Sequence, residues 1–428
     1  MQERIGLLTV VACIAGALVF TLVSGPTAYG QTKEPILLGI MYDQTGPTSV
    51  FGVPIVQGAR DYTKLINKKG GIHGHPIEWI EHEMGYKVPN AVEGYERFKA
   101  AGVVSFWSWG TPIVYALWER ATADKLPTTT PGFGRADATD GQRFPYVFPI
   151  AATWWSQAGG AVKFVMDQWG NEGKKGKPKV AFLYWDNPAG REPFPIFEKL
   201  QKQLGFEFKT WSVPSPGLEM SAQILDIVRR YRADWVISNM WAKAPAVSMK
   251  EFKRLGFPLN RVVSLNGGAA EHDMIAAGWD VAEGYYGLHV HGVGADYPVH
   301  RDIIQMYKDE GKEPPKEMVE LSVPYNRGIL WIGATIEATR LALEKFGWPL
   351  TGEKVQKGFE LIDGIPGLEE GFLPRLKITP QDHEGGGYVR VFQTRGGKIV
   401  PVTDWFHGYR EAVLEQVYAA PKEEPPKN

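Results

Sequence analysis

The chain has 428 residues, a formal net charge of −1, 44% apolar residues and 22% charged residues. That length argues for two domains rather than one, and the near-neutral balance excludes the basic footprint that nucleic acid or an anionic membrane surface would require. A single cysteine, Cys13, excludes an intrachain disulfide and a cysteine metal cluster, while 15 Trp, 17 Tyr and 20 Phe supply material for aromatic walls.

The N-terminus reads as an export signal over residues 1–30. Arg4 supplies the positive start, Ile5 to Val23 are apolar or small, and Ala28 and Gly30 stand at −3 and −1 to a cut before Gln31. The length of the apolar run leaves an uncleaved membrane anchor as the alternative. The remainder is expected to be soluble and periplasmic.

From residue 36 onward, strand-like runs alternate with helical patterns. "ILLGIMY" (36–42) reads as a buried strand; Ile55, Ala59, Tyr62 and Ile66 then mark one face of a helix that stops at Lys68-Lys69-Gly70-Gly71. Further strands are predicted at 77–83, 103–107, 127–131, 179–185, 206–213, 234–239 and 261–265. Helices are predicted at 90–102, 112–125, 154–169, 192–204, 221–231 and 244–255. This alternation predicts parallel sheets with helices on both faces, and the number of units predicts two such sheets. "YVRVFQTRGGKIVPV" (388–402) departs from the rhythm and reads as a hairpin, and the tail "APKEEPPKN" reads as disordered.

In open α/β sheets, ligands bind beyond the carboxyl ends of the strands. The loops at those ends carry Phe51, Trp107, Trp109, Phe133, Trp185 and Trp241 beside Thr111, Arg135, Asn187 and Asn266. Aromatic walls with a few polar groups suit an oriented small-molecule pocket. Thr111-Pro112 reads as an N-cap with proline at the first helical position, which leaves the N–H groups of Ile113 and Val114 for an anion. Arg135 could fork onto a carboxylate, or could be a solvated arginine beside Asp137 and Asp140. Asn187 in "DNPAGRE" is a turn-former as readily as a ligand group.

His73-x-His75 and His289-x-His291 have strand-type spacing, but no third ligand is near in sequence, and no metal or cofactor is expected. "PQDHEGGG" (380–387) reads as a loop with an Asp–His hydrogen bond. The "GFGRAD" glycines lack a dinucleotide fingerprint, and no P-loop, zinc-protease helix or nucleophile elbow is present. The site chemistry therefore reads as recognition rather than catalysis.

The stretch 36–80 resembles periplasmic solute-binding proteins of branched-chain amino-acid-type ABC transporters. It carries Thr45-Gly46-Pro47, Phe51-Gly52, Gly58-Ala59, Ile66-Asn67, Gly70-Gly71-Ile72 and Gly74-His75-Pro76-Ile77 in that family's order and spacing. Weaker similarity extends over residues 36–403, through "LPTTTPG", "YVFPIAA", "AEGYYG" and "PQDHEGGGYVRVFQ". The resemblance implies an α/β fold of two Rossmann-like lobes (a type I periplasmic binding protein, or Venus flytrap) joined by three crossovers near Pro149, His289 and Asp382. The implied first lobe is 31–149 with 290–382, the second 150–289 with 383–403, and 404–428 a C-terminal extension.

The same resemblance implies a small-molecule ligand held between the lobes, a monomer, and delivery to an ABC-type membrane permease. It places Phe51, Gly110, Thr111, Phe133, Gly134, Arg135, Trp241 and Asn266 at the ligand, and the strand-end loops add Trp109, Trp185 and Asn187 to that expectation. Two departures stand out: Ala189 where the family often has tyrosine, and Asn266 where an acid often holds the ligand's ammonium, with Glu271 the nearest substitute. An aromatic or aliphatic carboxylate, or an amide, fits these departures better than leucine does. The competing classes are a ligand-sensing ectodomain of the same fold and an α/β oxidoreductase.

Overall fold

The computed structural model describes residues 33–214 and 217–419. The expected export signal and the tail from 420 onward lie outside the described residues.

Among the described residues, twelve strands form two sheets. The first holds β1 (Ile36–Tyr42), β2 (Ile77–Glu83), β3 (Ser105–Trp107), β4 (Thr128–Pro131) and β5 (Val147–Ile150), all parallel in the order β2-β1-β3-β4-β5. The second holds β6 (Lys179–Trp185), β7 (Glu207–Val213), β8 (Trp235–Asn239), β9 (Val262–Ser264), β10 (Tyr286–His289), β11 (Arg390–Arg395) and β12 (Lys398–Pro401). Its order is β12-β11-β10-β9-β8-β6-β7, with the β11–β12 hairpin antiparallel on an otherwise parallel sheet.

The chain leaves the first lobe after β5, returns after β10 and re-enters the second sheet at β11, which makes the three crossovers of two Rossmann-like lobes. Parallel strands require such long helical connections, and burial on both faces explains why their sequences run apolar rather than alternating. β5 escapes the sequence pattern because it spans four residues and contains Pro149. Proline is tolerated there because β5 is an edge strand.

The helix Ser322–Phe346 is the longest in the described chain and packs on the helix Ser49–Lys68 of the first lobe. Gly58 and Gly328 permit the contact, since a Cβ on either would fall about 2 Å from the partner helix's backbone. Trp331 projects from this helix into the first lobe and stacks on Trp107, with ring centroids 3.9 Å apart and 7° between planes. Its indole N–H donates to Thr129 Oγ1 at 2.7 Å. Trp79 and Trp109 flank this pair, with centroids 6.2 Å from Trp107 and 5.7 Å from Trp331 respectively.

The helix Arg410–Ala419, expected within an appended extension, instead packs on the helices Trp154–Asn171 and Phe194–Leu204 and on the turn Ala136–Thr139. Val413 and Val417 are fully buried there, so residues of both lobes cover it.

Candidate ligand-binding cleft

The segments that follow β3, β4, β6, β8 and β9 contribute residues to one cleft between the lobes. A cavity of ≈ 70 Å³ lies there. The first lobe lines it with Thr48, Phe51, Ile55, Tyr86, Trp109, Gly110, Thr111 and Phe133; Trp154, Ala189, Trp241, Asn266 and Gly267 face them from across the cleft, and Arg327 comes from the Ser322 helix.

The aromatic walls are fixed by polar and ring contacts behind them. Trp109 donates its indole N–H to Thr48 Oγ1 at 2.9 Å, and that hydroxyl in turn donates to Asp43 Oδ2 at 2.6 Å. Phe133 meets Trp331 edge-on at 5.7 Å, and Trp241 meets Trp185 edge-on at 4.6 Å. Trp107, two residues before Trp109 on the strand, is fully buried in the core. Because β3 ends at Trp107, Trp109 lies in the loop beyond it, where the backbone departs from strand geometry and the second tryptophan faces the cleft instead of following the first into the core.

The start of the helix Thr111–Ala123 differs from the expectation. Gly110, not Thr111, is the N-cap, and no side-chain cap bond forms. Thr111 is already helical, and its hydroxyl accepts from Gly134 N–H at 3.2 Å and from the Trp154 indole at 3.1 Å. The N–H groups of Ile113 and Val114 are not free for an anion, since both donate to the Gly110 carbonyl. Gly110 is required at this turn: its φ is +101°, and a Cβ would sit 2.6 Å from the Tyr86 ring.

Four of the expected site residues do not line the cavity. Arg135 is buried, forks onto Asp137 at 2.7 and 3.0 Å, and has the rings of Tyr115, Trp118 and Phe144 within 5.0 Å of its guanidinium carbon. It is neither a solvated arginine nor a ligand fork, because its hydrogen-bonding face is already spent on Asp137. Asn187 takes the turn role: its side chain accepts from Gly190 N–H at 2.9 Å and caps the short helix Pro188–Arg191. Trp185 supports Trp241 from behind, and Gly134 reaches the cleft only through its bond to Thr111.

The cation of the cleft is Arg327, which the sequence reading passed over. It is 4% exposed, and no described carboxylate pairs with it. Its Nη2 donates to the Asn266 carbonyl at 2.8 Å and also bonds Asn266 Oδ1, while its Nε has no partner. Burial alone pushes the guanidinium down to about 10, a sign of a charge held without compensation.

Asn266 is consumed in turn: its Nδ2 donates to Gly132 O at 3.1 Å across the cleft, and its backbone N–H to Gln157 Oε1 at 3.1 Å. Glu271 does not stand in for a ligand-binding acid. Its carboxylate accepts from Ser322 Oγ at 2.5 Å and from Val323 N–H at 3.1 and 3.2 Å, which caps the Ser322 helix from the opposite lobe. The cavity lining therefore holds one cation, several hydroxyl and indole groups, and no carboxylate.

A near neighbour is His272, which packs edge-on to Phe51 at 4.5 Å across the lobe boundary, with neither ring nitrogen hydrogen-bonded. Burial, aided by the Arg327 charge, pushes it down to about 3 and keeps it neutral. The other histidines are separately engaged. His73 pairs with Glu344, His75 stacks on Trp348, and His289 and His291 bond the carbonyls of Ala269 and Gly292. Among the described residues no group of three or more potential ligands converges on a metal position. The expected Asp–His bond in "PQDHEGGG" does not form either: His383 bonds Val147 O and Glu360, and Asp382 takes the N–H groups of Glu384, Gly385 and Gly386.

Comparison with known proteins agrees with this architecture. A family model described as periplasmic binding protein matches residues 35–398. A curated relative, Leu/Ile/Val-binding protein homolog 7 of Brucella melitensis, is 22% identical over 337 residues, covering 74% of this chain and 78% of the relative. A solved structure from the Pseudomonas fluorescens group, described as an ABC transporter permease, is 34% identical with a TM-score of 0.82, covering 90% of this chain and 96% of that one. A fatty acid ABC transporter substrate-binding protein from Thermomonospora curvata is 19% identical with a TM-score of 0.74, covering 90% and 95%.

Proposed function

The chain belongs to the periplasmic binding protein family, and we propose that the solute it captures is an aromatic or aliphatic carboxylate lacking an α-ammonium group. Membership of that family supports an extracytoplasmic, ligand-capturing role in ABC transport, and we read the site as one of recognition rather than catalysis. No helix among the described residues is long and apolar enough to cross a membrane.

The observation that carries the ligand class is the unpaired Arg327 in a cleft without a carboxylate. A buried guanidinium lacking an acid is an incomplete pair, and a ligand carboxylate completes it with charge-assisted hydrogen bonds. An amino acid would bring an ammonium as well, and that group would be desolvated among Trp109, Phe133 and Trp241 with no acid to meet it. The Thr111 N–H, ahead of the first intrahelical bond, and the Tyr86 hydroxyl supply neutral polar contacts for the rest of the molecule. Closure around the ligand presents the two lobes to a membrane permease, which receives it from the monomeric protein.

The test is calorimetry and thermal unfolding of the protein with benzoate, phenylacetate and octanoate against valine and leucine. A ligand at a hundred times its Kd adds about 2.7 kcal/mol of stability, readily seen as a raised Tm. A rise with the acids alone supports the reading, and a rise with valine or leucine alone refutes it.

A further inference from the structure

Six residues at the start of the Ser322–Phe346 helix meet the pocket, the hinge and the opposite lobe at once. Asn326 donates through Nδ2 to the carbonyls of Gly292 and Gly294 in the returning crossover, both at 2.9 Å. Ser322 Oγ accepts from Gly294 N–H at 2.8 Å and donates to Glu271 at 2.5 Å. Glu271 belongs to the second lobe, as does Asn266, which holds Arg327 Nη2. The helix has no cap of its own, since its N-cap residue is Leu321.

We infer that Glu271 and Asn266 are positioning residues that aim Arg327 at the ligand only when the lobes close, so that closure and recognition of the ligand's charge are one event. This rests on the carboxylate reading of the cleft. Orphan N–H groups at a helix start need an acceptor, and here the acceptor comes from the other lobe. When the lobes part, Ser322 and Val323 lose Glu271, Arg327 loses both Asn266 oxygens, and the long side chain regains its rotamers. The guanidinium then has no fixed direction, and a carboxylate in the open cleft meets it without the geometry that a charge-assisted bond requires. In the closed form Nη2 is tied, and Nε is left without a protein acceptor.

The experiment compares wild type with Glu271→Ala, Glu271→Gln, Asn266→Ala and Ser322→Ala. Ligand-free small-angle scattering and amide exchange are measured together with the affinities for benzoate and for its neutral analogue benzamide. Glu271→Ala is expected to enlarge the ligand-free particle and speed exchange at Val323 to Arg327. Benzoate affinity should fall about tenfold, the scale of a lost hydrogen bond to a charged group, and benzamide affinity less, so that the preference between them shrinks. Glu271→Gln, which keeps an acceptor oxygen, should restore most of both. Ser322→Ala removes the bonds to Glu271 and to Gly294 N–H but leaves Glu271 on the Val323 N–H, and gives a smaller change of the same kind, even if Glu271→Ala does not fold. An unchanged particle size and an unchanged benzoate-to-benzamide preference in both Glu271→Ala and Asn266→Ala would overturn the inference. Wild type that takes neither probe refutes the carboxylate reading instead, and the positioning role then stands or falls on scattering and exchange.

Discussion

Replacing Arg327 with methionine should separate stability from function. The methionine keeps a long flexible stem in the same space and removes the charge. Burial pushes the guanidinium from an ordinary 12.5 to about 10, which at about 1.4 kcal/mol per pH unit corresponds to roughly 3 kcal/mol of cost to the folded state. The sign is that of a base whose folded value is depressed. The cost is present in full below about pH 10, hence at neutral pH, and fades only as pH rises toward the ordinary value. Against that gain, the Asn266 carbonyl and Oδ1 lose their donor, a loss of roughly 1–2 kcal/mol for buried acceptors. The ligand-free variant should therefore be as stable as wild type or more stable by about 1–2 kcal/mol, an outcome seen when buried charges give way to apolar groups. Binding should move the other way, since removing one member of a buried charge pair costs about 2–5 kcal/mol, or some thirtyfold or more in benzoate affinity. Urea unfolding without ligand and calorimetry with benzoate read the two effects. A variant that loses stability yet keeps wild-type affinity for benzoate would refute the claim that Arg327 is an uncompensated cation waiting for a ligand anion.

Three further outcomes are expected. Glu192 is buried at the lobe boundary, accepts from Tyr115 Oη at 2.6 Å, and is pushed up to about 8 chiefly by burial. Because its folded value lies above the ordinary 4.5, wild-type stability relative to Glu192→Gln should decline as pH rises from 4.5 to 8 and level off above that; melting curves of the two proteins across that window check it, and parallel curves would count against the assignment. Gly110→Ala should cost about 1–3 kcal/mol through the positive φ and the contact with the Tyr86 ring, measured by chemical unfolding. Ala189→Tyr should fill the ≈ 70 Å³ cavity from the second lobe and abolish benzoate binding; unchanged calorimetric affinity would place the ligand elsewhere.

Much of the fold was legible because parallel strands buried on both faces announce themselves as short apolar runs between helices. β1, β2 and β6 match their predicted residues, 36–42, 77–83 and 179–185. The cleft walls were legible for a related reason: Trp109, Phe133 and Trp241 follow strand ends, where topology alone points to a cleft. Arg135 misled because its charge and loop position are visible in sequence, while the rings of Tyr115, Trp118 and Phe144 around it are assembled only by the fold. Arg327 was missed because it lies inside a helix, away from any strand-end loop. The signal was nonetheless available: Val323 and Pro324 before it, and Leu330 and Trp331 after it, put an arginine on an apolar helical stripe with no acid three or four residues away. Such an arginine has to find its counter-charge outside its own helix.

The ladder from Trp79 through Trp107 and Trp331 to Trp109 runs from a half-buried position near the surface to the wall of the cleft. The parallel indoles of Trp107 and Trp331, 3.9 Å apart, are close enough for their transitions to couple, which should add an exciton contribution to the near-ultraviolet dichroism on top of the signal from the eleven tryptophans outside the ladder. A solute settling against Trp109 would perturb the member that abuts this pair, 5.7 Å from Trp331. Occupancy of the cleft is thus expected to register in the dichroism of the stacked pair, and Trp331→Phe should abolish that contribution by removing the indole that joins Trp109 to Trp107.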